Sequence, residues 1–288
     1  MKTDSPASAP SLRRTVRALG REAATFAGFS GDATFCWPRW LLLRAVGLLF
    51  VIAFSGILAE AGALVGPSGL LPLSRTLTEI SEAHPNPLTA FLRAPSLFWL
   101  GTSSTMILGV GWAGLVAATL VTFNLRPRVM LGICWVCLLS FVAAWRGFSA
   151  SQVDQLLLEA GLLCIPFAPA GAKPGLAPEQ PPYPIVILTL RWFLLRLMLE
   201  NGLVKVFGGD PHWQNLTALD TLYETSPFPT LLGYYDHQLP HAYHVGEAVF
   251  TYVAEIVAPL VAIFGGRRGR GWAFVVWTLF QAGIQATN

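Results

Sequence analysis

Trp40-Leu41-Leu42-Leu43-Arg44-Ala45-Val46-Gly47-Leu48-Leu49-Phe50-Val51-Ile52-Ala53-Phe54-Ser55-Gly56-Ile57-Leu58-Ala59-Glu60-Ala61-Gly62-Ala63 carries one arginine and one glutamate in 24 residues. A bilayer core of roughly 30 Å takes about 20 apolar residues as helix, so this run reads as a membrane span. Comparable windows recur at 97–122, 129–147, 152–168, 184–207 and 243–265, and a seventh begins near Gly271. The composition agrees: 53% hydrophobic, 12% charged and a mean hydropathy of +0.54. These values predict an all-α polytopic membrane bundle of about seven helices. The window at 152–168 is short and ends in the breaker Pro166-Phe167-Ala168-Pro169.

The polar segments give the sidedness. Twelve basic residues fall on the first rim: Lys2, Arg13, Arg14, Arg17, Arg21 and Arg39 in the tail, then Arg126, Arg128, Lys173, Arg267, Arg268 and Arg270 in connections. Only Arg75, Arg93 and Arg146 fall on the other. The positive-inside rule places the amino terminus in the cytoplasm. Residues 1–39 read as a basic, mostly disordered tail and 40–288 as the transmembrane domain. No signal peptide precedes the first span, which is expected to be an uncleaved anchor. Seven spans finish on the outer side, and the last apolar run ends at Asn288 with no polar tail, so a soluble carboxy-terminal domain beyond this sequence is expected. Acidic and basic residues nearly balance, 16 against 19, which argues against a nucleic-acid partner.

The segment 208–241, between the fifth and sixth spans and assigned to the outer side, contains no Lys or Arg. Polar and aromatic residues crowd it: Asp210, Pro211, Trp213, Asn215, Tyr223, Glu224, Pro227, Pro229 and His237 are its candidate binding or loop-ordering residues. Trp213, Tyr223, Phe228, Tyr234 and Tyr235 offer rigid amphipathic contact area, and the prolines limit the entropy lost on ordering. Each of these residues also has a plainer reading, that it only shapes the loop.

Ionisable groups inside spans usually face a partner or a cavity. Asp154, Glu159, Arg191, Arg196, Glu200, Lys205, Glu247 and Glu255 gather on three successive windows and suggest an internal polar network. They either pair to fix helix packing or line a pocket with Lys205 at its mouth. His237, His241 and His244 have helix-face spacing, but Pro240 interrupts the helix a metal site would need, so no metal is expected. Cys134 and Cys137 lie in an apolar run and read as packed small residues. Asn215-Leu216-Thr217 fits the short N-glycosylation pattern. No nucleophile elbow, phosphate loop or dinucleotide fingerprint is present, and no internal repeat favours transport.

Gly202-Leu203-Val204-Lys205, Gly209-Asp210-Pro211-x-Trp213-x-Asn215-Leu216-Thr217-Ala218-Leu219, Tyr223-Glu224-Thr225-x-Pro227-x-Pro229 and His237-x-Leu239-Pro240 together resemble the signature of the lipase maturation factor family. Gly66-x-x-Gly69-Leu70-Leu71-Pro72 and Asp154-Gln155-Leu156-Leu157-Leu158-Glu159-Ala160-Gly161 extend the likeness. The resemblance implies a membrane-embedded factor that assists folding or export of secreted proteins such as lipases, without catalysis or cofactor. It would act in the endoplasmic reticulum of eukaryotes, or in the inner membrane of a bacterium. A second pattern, Gly202-x-x-Lys205 followed by Trp213, is similar to the γ-carboxylase group, with Gly208-Gly209-Asp210-Pro211 inserted before the tryptophan. It implies an alternative, an enzyme with Lys205 as general base among Arg196, Glu200, Glu159 and Glu255, and a bound quinone or lipid.

Overall fold

The computed structural model describes residues 12–26, 35–145, 152–226 and 228–287, and among these there is no strand. The chain is an all-α membrane protein. Helix α1 (Leu12–Phe26) stands within the tail expected to be mostly disordered, and α2 (Cys36–Val65) begins four residues before the expected span. Lys2, Arg146, Pro227 and Asn288 lie outside the described residues.

Two compact units divide the chain, one of residues 32–186 and one of residues 1–31 with 187–288. In the first, α2 packs on α5 (Ser104–Thr122) and α7 (Gln152–Phe167), with α6 (Pro127–Ala144) between α5 and α7. Short helices α3 (Leu73–Ala83) and α4 (Pro87–Arg93) and a 3-10 turn (Leu97–Leu100) connect α2 to α5. The second expected span is therefore shorter at its start than the apolar window. Gly101 and Thr102 interrupt it, and Ser103 caps α5 by accepting a hydrogen bond from the Met106 N–H.

Small residues allow α2 and α5 to approach. A Cβ on Gly114 would lie 2.3 Å from Cζ of Phe54, whose ring is fully buried. Without a strong hydrophobic drive between helices in lipid, such close packing carries much of the association.

The basic residues of one rim have structural partners. Arg39, 2% exposed, donates to the carbonyl oxygens of Leu176, Ala177 and Gln180. Arg128 donates twice to the carbonyl of Ala168, just past the end of α7, and the Arg126 N–H donates to Ala172. The start of α2, the α5–α6 turn and the connection after α7 thus share one rim, as the basic-residue count requires.

The second unit contains most of α8 (Pro184–Phe207), short helices α9 (Pro211–Gln214), α10 (Ala218–Thr225) and α11 (Leu231–His237), then α12 (His241–Tyr252), α13 (Ala258–Phe264) and α14 (Gly266–Thr287). A π-helical turn, Val253–Val257, joins α12 to α13. Pro259 explains it: a proline inside a helix has no N–H to donate and its ring crowds the carbonyl four residues back. The Ala258 N–H bonds Val253, five residues back, and the carbonyl of Ala254 accepts instead from the indole of Trp277 on α14 at 2.9 Å. Ala254, Ala258, Ala262 and Ala273 pack this junction closely.

By length and composition, four helices among the described residues qualify as spans: Cys36–Val65, Ser104–Thr122, Pro127–Ala144 and His241–Phe264. Helices α7, α8 and α14 stand where the other three spans are expected, but they do not qualify. At 16 residues α7 is too short to qualify, and α8 carries four charged residues.

Replacing Gly114 with leucine should force α5 away from the Phe54 ring and lower stability by about 2–3 kcal/mol. Thermal unfolding in detergent, compared with the exposed-site control Gly109→Leu, checks this.

Candidate functional site

Near the end of α8, Gly202 has no side chain where a Cβ would meet Ile256 at 2.5 Å and Glu255 Cβ at 3.1 Å. The helix therefore lies against the π turn. One turn later, Lys205 reaches both carboxylate oxygens of Glu255 at 2.8 Å, and its remaining donor points to the Asn201 carbonyl at 3.4 Å. The side chains are 20% and 8% exposed. The lysine Nζ also stands 5.0 Å from the centroid of the Trp213 ring, a cation–π distance. Tyr252 fixes that tryptophan, with its hydroxyl donating to the Trp213 carbonyl at 3.0 Å and its ring edge-on at 6.0 Å.

The loop is built from short, individually capped helices. Asp210 accepts from the His212 N–H to start α9, with Pro211 in its first turn, where a missing N–H costs nothing. Asn215, exposed, ends α9. Thr230 caps α11 by accepting from the Gly233 N–H and donates to the Ala286 carbonyl, tying α11 to the end of α14.

Two histidine–carboxylate contacts then clasp the short helices, and a third lies within α12. His241 Nδ1 lies 2.9 Å from Asp220, joining α12 to α10, and His237 Nε2 lies 3.0 Å from Glu224, joining α11 to α10. His244 Nδ1 lies 3.1 Å from Glu247 within α12. The Tyr223 hydroxyl donates to both oxygens of Glu247, at 3.0 and 3.1 Å. Burial, with the Glu247 and Asp236 carboxylates nearby, holds the Tyr223 phenol above its ordinary pKa, so it remains a donor at neutral pH. His237 and His241 stand on separate helices, because Pro240 starts α12. Among the described residues no three His, Cys, Asp or Glu side chains group as a metal site.

These elements enclose a cavity of about 380 Å³, lined by Lys205, Trp213, Tyr223, Asp236, Glu247 and Glu255 and, from α14, by Phe280 and Ile284. Of the polar group read from sequence, the cavity gathers Lys205, Glu247 and Glu255. Arg196 and Glu200 face each other at 3.9 Å along α8 and do not line it, and Arg191 donates to the Thr25 carbonyl. Asp154 and Glu159 belong to the other compact unit. Lys205 Nζ meets three acceptors, both carboxylate oxygens of Glu255 and the Asn201 carbonyl, and so ties α8 to the π turn. Glu224, within α10, and Pro229, beyond its end, are exposed.

Sequence reasoning did not find the Asp220–His241 contact, the Tyr252 support of Trp213 or the α14 wall. Pro259 inside an apolar run was the available signal for the π turn that presents Glu255.

Outside the clasps the same rim is strongly apolar. Phe228 is 79% exposed and Leu231 72%, and Leu232, Tyr234 and Tyr235 are also exposed.

Residues 37–288 match the model of the lipase maturation factor transmembrane domain. The chain is 31% identical to lipase maturation factor 1 of Mus musculus over 287 residues, covering 96% of this chain and 48% of the relative. It is 33% identical to lipase maturation factor 2 of Homo sapiens over 270 residues and 34% identical to that of Gallus gallus over 260 residues. Those two alignments each cover 87% of this chain and 37% and 36% of the relatives. The chain thus spans about half or less of the relatives' length. No solved structure matches.

Lys205→Met alone should destabilise the protein by about 3 kcal/mol, because it leaves a shielded carboxylate unpaired. Adding Glu255→Gln should recover most of that loss, giving a coupling energy in a double-mutant cycle; purely additive effects would show that the pair does not hold the helices. Tyr223→Phe should cost about 2 kcal/mol, the scale for a hydrogen bond to a charged acceptor. Faster proteolytic cutting of segment 208–241 would report the loosened clasp.

Proposed function

We propose a function that proceeds from the chain's family: the protein belongs to the lipase maturation factors, and it assists the folding or export of secreted proteins, lipases among them. The observation that carries this reading is the exposed apolar face of Phe228, Leu231, Leu232, Tyr234 and Tyr235 on a clasped scaffold. Exposed apolar surface of that extent is costly in water and marks an interaction site. Incompletely folded secreted chains present complementary apolar segments, and short pre-ordered helices reduce the entropy lost on binding them.

In this reading the working rim faces the periplasm of a bacterium, or the lumen of the endoplasmic reticulum in eukaryotic relatives. The opposite, arginine-rich rim faces the cytoplasm. Support for the orientation comes from the twelve-to-three distribution of basic residues. Support for the location of the surface comes from α8, which runs from Arg191, bonded to the amino-terminal helix, to Lys205 at the cavity.

The cavity has a supporting role. Its ion pair and tyrosine–glutamate contacts hold α10 and α12 so that α11 keeps its apolar face outward. A client then meets a pre-formed surface.

The test is co-expression of the full-length protein with a secreted lipase. Leu231→Ser with Leu232→Ser and Tyr235→Ser should lower the activity per secreted lipase molecule several-fold while the membrane level of the factor stays normal. Unchanged specific activity would reject the surface.

A further inference from the structure

Helix α1, Leu12-Arg13-Arg14-Thr15-Val16-Arg17-Ala18-Leu19-Gly20-Arg21-Glu22-Ala23-Ala24-Thr25-Phe26, separates three chemistries around its axis. Each residue turns the helix by about 100°. Val16 and Leu19 then share one face, while Arg14, Arg17 and Arg21 lie roughly opposite. Glu22 and Thr25 occupy the remaining edge.

That edge is docked. Glu22 lies 3.7 Å from Arg270, the Thr25 carbonyl accepts from Arg191, and α1 packs against α13. α13 is the last stretch of the span His241–Phe264, so the contact holds α1 at the level where a span leaves the bilayer. Gly265 and Gly266 make the turn there, and Arg267 and Arg268 are exposed beside it.

On the apolar face Val16 is 61% exposed and Leu19 42%. An apolar face and a basic face on one helix, fixed sideways to a membrane span at the interface, match one partner: the surface of a leaflet carrying anionic phospholipid. We infer that α1 lies in the membrane plane, inserts Val16 and Leu19 among the acyl chains, and binds anionic headgroups through Arg14, Arg17 and Arg21 with Arg267 and Arg268. The protein would in this way read leaflet charge at the rim opposite its cavity. The inference is independent of the client surface proposed above.

The experiment places a polarity-sensitive fluorophore on Val16→Cys in the full chain, because the four native cysteines are buried. The labelled protein is reconstituted in nanodiscs of phosphatidylcholine alone or mixed with phosphatidylglycerol. Spin-labelled acyl chains should quench the probe several-fold more strongly with phosphatidylglycerol present. Arg14→Gln with Arg17→Gln and Arg21→Gln should remove that difference without unfolding the protein, since all three side chains are exposed. Equal quenching in both compositions would overturn the headgroup recognition. A probe that stays in water in both, or one shielded only when a second protein is crosslinked to α1, would overturn the membrane assignment.

Discussion

The ion pair between Lys205 and Glu255 is the contact on which the cavity-bearing end of the structure depends. Two charges withdrawn from water are expensive, and their attraction repays that expense only when geometry is good and the remaining donors are met. Both conditions hold here. The carboxylate meets the ammonium with two oxygens, Asn201 accepts at the third donor, and Trp213 offers its ring face. A partner removed from such a pair leaves a shielded charge, so the pair sets the relative height of α8 and the π turn.

The pair is possible because the backbone was brought close first. Gly202 lets α8 touch the π turn, and the π turn exists because Pro259 cannot complete an α-helical ladder. The turn widens the helix at Glu255 and hands the Ala254 carbonyl to Trp277. Local irregularity within a span is thereby satisfied from a neighbouring helix, as a hydrocarbon environment demands. The loop then builds on this base through Tyr252 and Trp213, Tyr223 and Glu247, and the histidine contacts.

Within each compact unit, arginines tie connections to helix ends. Their donors satisfy carbonyls that the ends of helices leave open. Arg39 and Arg128 in the first unit, and Arg191 with α1 in the second, each close a connection through backbone oxygens.

Apolar run length was enough to determine from sequence that the chain is helical and membrane-spanning, since a bilayer leaves a twenty-residue apolar segment few alternatives. The motif from Gly202 to Pro240 pointed to the segment where the cavity forms. Helix α1 and the break at Gly101 escaped that reading, because amphipathic spacing and a capping serine are weaker signals than hydropathy. Arg196 and Glu200 share a face through their four-residue spacing on one helix. Lys205 and Glu255, and Asp220 and His241, are plausible partners by type, but whether they meet depends on how separate helices pack and on one π turn, which residue spacing along a chain does not determine.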